Sequence, residues 1–300
     1  MLNGIINIYK EAGYTSHDVV AKMRGICKQK KIGHTGTLDP QATGVLPVCL
    51  GSGTGLCDML TNQDKEYVAE LLLGVETDTQ DTTGTVLKQR EVTVGPEEVR
   101  KGIGSFVGTY GQIPPMYSAL KVNGKKLYEL ARAEKSVERE PREVTIHEIE
   151  ILEMELPIVK MRVACSKGTY IRTLCADIGE KLGCGGTMKS LERTRVGQFS
   201  LEKAVTLSEL EQIRDRGAFD EVLFPVEHAF LDCPKLHMRE EMQKRLENGN
   251  AILPEHTREG IVYEEGWVRM ARSDGSFAGV YTYNRDRQWY QPVKMFLERD

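Results

Sequence analysis

Apolar positions in this chain form short runs and helical stripes separated by glycine, proline and charged stretches. Gly4 to Tyr9 is dense in isoleucine and reads as a short strand that ends in a turn at Gly13 and Tyr14. Thr15 and Asp18 stand at capping-box spacing. Val19, Val20, Met23, Ile26 and Cys27 then share one helical face, with Lys22 and Arg24 turned away from it. Residues 33–55 are rich in Gly, Thr and Pro around one apolar run, Val45 to Leu50, which predicts loop, short strand, loop. Tyr67 to Leu73 reads as a buried strand, Pro96 to Phe106 as a helix opened by proline, and Val159 to Cys165 as an alternating strand. Ile171, Leu174, Cys175, Ile178 and Leu182 make a helical stripe that stops at Gly183.

Two stretches depart from this texture. Met116 to Arg142 is charged and broken by Gly124 and Pro141, the pattern of an excursion from the core. Beyond Asp232 and Pro234 the chain predicts one helix, Arg239 to Leu246, and then short strands with turns at Asp274-Gly275 and Asn284-Arg285. A domain boundary is therefore expected near residue 233, dividing 1–232 from 233–300. No internal repeat is visible.

With 300 residues, 40% of them hydrophobic, the chain can bury a large core and a small satellite. No apolar run approaches the roughly 20 residues that span a bilayer, and MLNGIINIYK lacks the form of a secretory signal, so a cytoplasmic, membrane-free protein is expected. The seven cysteines are scattered without metal or redox spacing and read as reduced packing residues. A net charge of −4 argues against a nucleic-acid partner, but residues 19–38 carry five basic and no acidic side chains, and residues 160–195 carry eight basic and three acidic. Each segment is either a solvated face or part of a confined RNA-facing surface.

Candidate chemistry concentrates in GHTGTLDPQATG, residues 33–44, where small residues surround one carboxylate, Asp39, held before Pro40. Asp-Pro is commonly just a turn. A phosphate-binding loop fails on spacing, because no Gly-Lys-Ser/Thr follows. SKGTYIR, residues 166–172, places Lys167, Tyr170 and Arg172 at a strand-to-helix junction, where an arginine is available to hold a carboxylate ionised and oriented. Tyr67 offers an aromatic face at the head of its strand, against the plainer reading of a half-buried strand tyrosine, and Leu191 reads first as a core leucine.

GHTGTLDPQATGVLPVCLG (33–51), DKEYVAELLLGVETDTQDTTG (64–84), IPPMYSALKVNGKKLYELAR (113–132) and CSKGTYIRTLCADIGEKLGCGG (165–186) together make the chain resemble the TruB family, the bacterial tRNA pseudouridine-55 synthases. The resemblance implies an α+β fold: a mixed, mainly antiparallel sheet with flanking helices, followed by a small β-rich PUA-like domain. It implies Asp39 as nucleophile and Arg172 as its partner, with His34, Tyr67, Tyr170 and Leu191 contacting substrate. The usual Lys-Pro near the N-terminus appears as Lys10-Glu11, and a frequent Ala-Thr-Lys as Gly53-Thr54-Gly55.

The implied reaction turns uridine into pseudouridine at position 55 of the TΨC loop after the base is flipped out, and it changes no oxidation state. No cofactor or metal is therefore expected, and the expected partner is tRNA alone, bound by a monomer. Tyr67 is expected to stack on the flipped uracil, with a part in removing the C5 proton, and His34 to fill the space the nucleotide leaves. A noncatalytic tRNA-binding or tRNA-folding protein on the same framework is the alternative. It has no need of Asp39 and Arg172 buried together.

Overall fold

A computed structural model describes residues 1–118, 120–122, 124–133 and 137–297. Its main sheet is ordered 223–224, Gly4–Lys10, Thr43–Leu50, Gly186–Val196, Lys65–Leu73, Ile158–Cys165, Arg142–Glu155, Gly108–Gln112, with the short strands Ile32–His34 and Phe199–Ser200 added at the sides. Among these pairings only Gly186–Val196 with Thr43–Leu50 is parallel, through Glu192 opposite Thr43 and Arg193 opposite Gly44. The sheet is thus mixed and mainly antiparallel, as expected for the α+β class.

Alternation decides what each face of the sheet meets. On Gly4–Lys10 the even isoleucines, Ile6 and Ile8, join Leu46 and Val48 against the helices Ser16–Ile26 and Leu207–Asp215. Ile5, on the opposite face, joins Val45, Cys49 and Phe199 with Val280 of the strand 277–284 and Phe296, just past the last strand. In the other half of the sheet, Tyr67, Ala69, Leu71 and Leu73 pack with Met161 and Val163 against the helices Pro96–Gly104 and Ile171–Lys181. Val68 and Leu72 alternate with them and are only half-buried. The expected buried strand at 67–73 is therefore buried on one face and half-buried on the other, where Glu66 and Glu70, beside Val68 and Leu72, meet Arg195 and Lys189.

Thr15 caps the first helix as its spacing predicted, accepting from the Asp18 amide while the Asp18 carboxylate takes the Thr15 amide. The excursion at 116–142, described except at 119, 123 and 134–136, holds a two-residue hairpin, 121–122 with 125–126, and the helix Leu127–Arg132. Its two ends meet in the sheet, where Arg142 pairs with Gln112. After residue 233, strands at 235–237, 268–271, 277–284 and 289–295 form a second sheet with its own cluster of Leu236, Met270, Tyr281 and Tyr290. The helix expected at 239–246 is a 3₁₀ turn over Glu240–Met242 running into Gln243–Glu247. No helix among the described residues is long and apolar enough to cross a membrane.

Candidate active site

The Asp39 loop joins two paired strands, Ile32–His34 and Thr43–Leu50, and nearly every residue in it is tied down. The Leu38 amide donates to Ser16 Oγ at 2.9 Å. Pro40 offers its carbonyl to the Gly13 amide at 2.9 Å and to Lys10 Nζ at 3.0 Å. Leu38 and Ala42, on either side, are buried in the apolar cluster that includes Tyr67. At Gly44, with φ +103°, a Cβ would lie 2.2 Å from the Arg193 carbonyl oxygen, so the loop's return to the sheet demands glycine. Asp39 is thus presented from a fixed loop, with 36% of its side chain exposed.

Arg172 meets that carboxylate edge-on, Nε to Oδ2 at 2.9 Å and Nη2 to Oδ1 at 3.1 Å, the two-pronged geometry that guanidinium favours. Its remaining donors reach the carbonyls of Tyr117 at 2.7 Å and Thr79 at 3.0 Å, and Asp81 lies 3.7 Å away. Only 5% of the Arg172 side chain is exposed. The pair exists as the sequence suggested, yet it does not hold Asp39 below the ordinary carboxylate range. Burial pushes the Asp39 carboxyl up and outweighs the downward pull of Arg172, while the Asp81 charge adds to the rise and Lys10 opposes it weakly. Lys10, fully buried beneath the loop, is itself lowered to about 8, mainly by burial, with Asp39 working against the fall.

Tyr67 lies opposite Arg193 in the sheet and faces the cluster of Leu38 and Ala42, against which Leu191 also packs. Its hydroxyl is taken by Arg193, and burial raises its pKa to about 12, so it remains a neutral phenol throughout the working range. Arg193 is fully buried and donates to the Val45 carbonyl at 2.7 Å and the Gly36 carbonyl at 3.4 Å, supporting the Asp39 loop from beneath. Tyr170 is half-buried at the N-terminus of the helix that carries Arg172. His34 stands farther out. Its Nδ1 accepts from the Gly36 amide at 3.3 Å, and its ring meets exposed His17 edge-on with centroids 6.1 Å apart. Burial chiefly, then His17 and Arg193, lowers the His34 pKa, which keeps the ring neutral at pH 7.

The sheet and loops therefore bring the Asp39–Arg172 pair beside the apolar cluster of Leu38, Ala42, Tyr67 and Leu191, with Tyr170 on the adjoining turn and His34 packed against exposed His17. Sequence reasoning missed Asp81, Arg193 and the role of buried Lys10. Asp81 stood inside a motif without an assigned task, and nothing in the pattern distinguished Arg193 from Arg195, which is half-exposed and paired with Glu66.

The two basic segments separate as well. All five cations of residues 19–38 are exposed, and none is in an ion pair among the described residues. In 160–195 the excess is largely spent: Lys160, Arg162, Lys189 and Arg195 pair with Glu153, Glu150, Glu70 and Glu66, and Arg172 and Arg193 are buried. A segment sum counts charge without its cross-strand partners, and of the two readings left open for this segment the paired, mostly neutralised face is the one found.

Comparison with known proteins gives a consistent set of relatives. Residues 24–171 match the TruB family pseudouridylate synthase N-terminal domain, and residues 172–231 the tRNA pseudouridylate synthase B C-terminal domain. The tRNA pseudouridine synthase B of Lachnoclostridium phytofermentans is 53% identical over 307 residues, covering 99% of this chain and 100% of the relative. That of Alkaliphilus oremlandii is 44% identical over 302 residues, with all of both chains covered. Among solved structures, a chain of a Cbf5-Nop10-Gar1 complex superposes with a TM-score of 0.77 at 28% identity, covering 99% of this chain and 86% of that one. A chain of an H/ACA RNP bound to a substrate RNA containing 2′-deoxyuridine gives 0.75 at 26% identity, with 99% and 86% covered.

Proposed function

Since the chain belongs to the TruB family and isomerises uridine to pseudouridine in tRNA, we propose that it acts on uridine 55 of the TΨC loop, with Asp39 as nucleophile. The observation that carries this reading is the Asp39–Arg172 pair, a two-pronged contact at 2.9 and 3.1 Å that fixes a carboxylate beside the cluster of Leu38, Ala42, Tyr67 and Leu191 while leaving a third of its side chain open. The reaction breaks the bond from C1′ to N1, turns the uracil and rejoins it through C5, which gives up its hydrogen as a proton. Asp39 supplies the electron pair that traps the sugar or the base during the exchange.

Flipping the nucleotide out of its loop costs a few kcal/mol. Stacking of the uracil on Tyr67 returns roughly 1–3 kcal/mol of that, and Leu191 completes the apolar wall. Tyr170 borders the pocket, and His34, neutral and close to the surface, occupies the place the nucleotide vacates. The exposed cations from Lys22 to Lys31 hold phosphates of the tRNA, and residues 233–300 form a small RNA-binding unit. Purified protein alone is expected to release tritium from tRNA transcripts labelled at uridine C5, and a transcript with cytidine at position 55 to release none. Release that persists from the cytidine transcript would place the reaction at another uridine.

Tyr67 separates stacking from its hydroxyl chemistry. Tyr67→Leu is expected to lose roughly 1–3 kcal/mol of transition-state stabilisation, and Tyr67→Phe to lose less, because the ring remains. Equal single-turnover rates for the two variants would remove the stacking role.

The excursion at 116–142 is expected to close over the RNA, since Arg172 already holds its Tyr117 carbonyl and the chain leaves and rejoins the sheet at the paired residues Gln112 and Arg142. Backbone amides in this stretch are predicted to exchange hydrogen more slowly when tRNA binds. Unchanged exchange there would remove the closure.

A further inference from the structure

Gln112 is the last residue of the edge strand Gly108–Gln112, where the chain leaves the sheet for the excursion, and it stands opposite Arg142, where the chain returns. Only 1% of it is exposed. Its carboxamide clasps the backbone of Tyr170 from both sides, with Oε1 accepting from the Tyr170 amide at 2.7 Å and Nε2 donating to the Tyr170 carbonyl at 3.1 Å. The second Nε2 hydrogen goes to Tyr110 Oη at 2.6 Å. Tyr170 begins the helix Ile171–Lys181 and has no side-chain cap of its own. The clasp therefore satisfies the backbone of the N-cap residue itself and sets where the first turn, with Arg172 in it, begins.

A second tie leads from the same excursion to the same turn. Five residues beyond Gln112, the Tyr117 carbonyl accepts from Arg172 Nη2 at 2.7 Å, on the same nitrogen that reaches Asp39. The root of the excursion thus holds both the backbone before Arg172 and its guanidinium. One planar group must accept from an N–H and donate to a C=O of a single residue, which a carboxamide does and a carboxylate does not. Asparagine is one methylene shorter than the span.

We propose that Gln112 is a positioning residue, which registers the Tyr170–Arg172 turn against the root of the excursion and so aims the guanidinium at Asp39. The inference rests on the reading of Asp39 as nucleophile, and it goes beyond that reading by giving the excursion a fixed mechanical link to the catalytic carboxylate.

The test is single-turnover tritium release at saturating enzyme, run beside direct measurement of tRNA binding, for Gln112→Leu and Gln112→Glu in the full chain. A misplacement near 1 Å costs on the order of 10²-fold in rate. Gln112→Leu is expected to lose a factor of that order with the tRNA Kd within about threefold of the parent, and Gln112→Glu, which keeps the acceptor and loses the donor, to fall between. The acid limb of the Gln112→Leu rate profile should also move to higher pH, because a loosened Arg172 lowers the Asp39 pKa less. If Gln112→Leu does not fold, the isosteric Gln112→Glu decides the matter alone. Parental single-turnover rates, or a loss confined to Kd, would overturn the proposal. Asp39→Asn in the same assay tests the underlying reading, so an active Asp39→Asn and an unaffected Gln112→Leu point to different failures.

Discussion

Asp39→Asn is expected to reduce single-turnover tritium release from C5-labelled tRNA by roughly 10⁴-fold or more, the scale on which removal of a nucleophile acts. The substitution keeps shape and removes charge and nucleophilicity. The loop should keep its form, because its fixings lie in Leu38, Pro40, Ala42 and Gly44 rather than in the Asp39 side chain. tRNA binding should therefore survive nearly intact, which distinguishes a chemical defect from a binding defect. Turnover within tenfold of the parent would end the assignment. So would a loss of activity matched by a loss of tRNA binding, which would make Asp39 a contact residue.

Arg172→Met should have the second largest effect and should show it in three measurements. The buried guanidinium answers Asp39, Asp81 and two carbonyls at once. Its removal leaves two carboxylates facing each other with the carbonyls unsatisfied. Breaking one side of a buried ion pair costs about 3–5 kcal/mol, and the partial exposure of Asp39 places this case near about 3. The rate should fall roughly 10²- to 10³-fold, as when one preorganised electrostatic contact is lost.

The pH response has a fixed sign. Burial already raises the Asp39 pKa above its ordinary value, and Arg172 is the chief influence lowering it. Without Arg172 the pKa rises further, the ionised fraction at a given acidic pH falls, and the acid limb of the rate profile moves upward. A limb that stays in place while the rate drops would show that Arg172 acts on the substrate and not on Asp39.

Local pattern pointed to the loop and to the Asp39–Arg172 contact, while the roles given to Asp39, Tyr67 and Leu191 came from the family resemblance. A carboxylate among glycines, and a tyrosine and arginine at a strand-to-helix junction, are local patterns, and so is the capping box at Thr15 and Asp18. What stayed hidden depends on long-range pairing. Arg193 supports the loop because its strand runs parallel to Thr43–Leu50 and opposite Tyr67, a register that no local pattern encodes. Asp81 becomes a neighbour of Arg172 through a turn that folds back onto the helix. The choice left open for residues 160–195 turned on the same thing, since the glutamates that pair with its cations lie outside the segment. The upward pKa of Asp39 was equally out of reach, because its partial burial comes from the folded surroundings and not from the motif.

Gly186–Val196 lies between Thr43–Leu50 and Lys65–Leu73, and the sheet order passes from one half to the other only through it. It is also the last long strand of that sheet to leave the ribosome. Without it, Thr43–Leu50 and Lys65–Leu73 would each present an unpaired inner edge, the kind of surface that invites pairing with the wrong chain. Pairing of this strand covers both of those edges and seats Arg193 under the Asp39 loop together, so the same contact that joins the halves of the sheet also supports the loop.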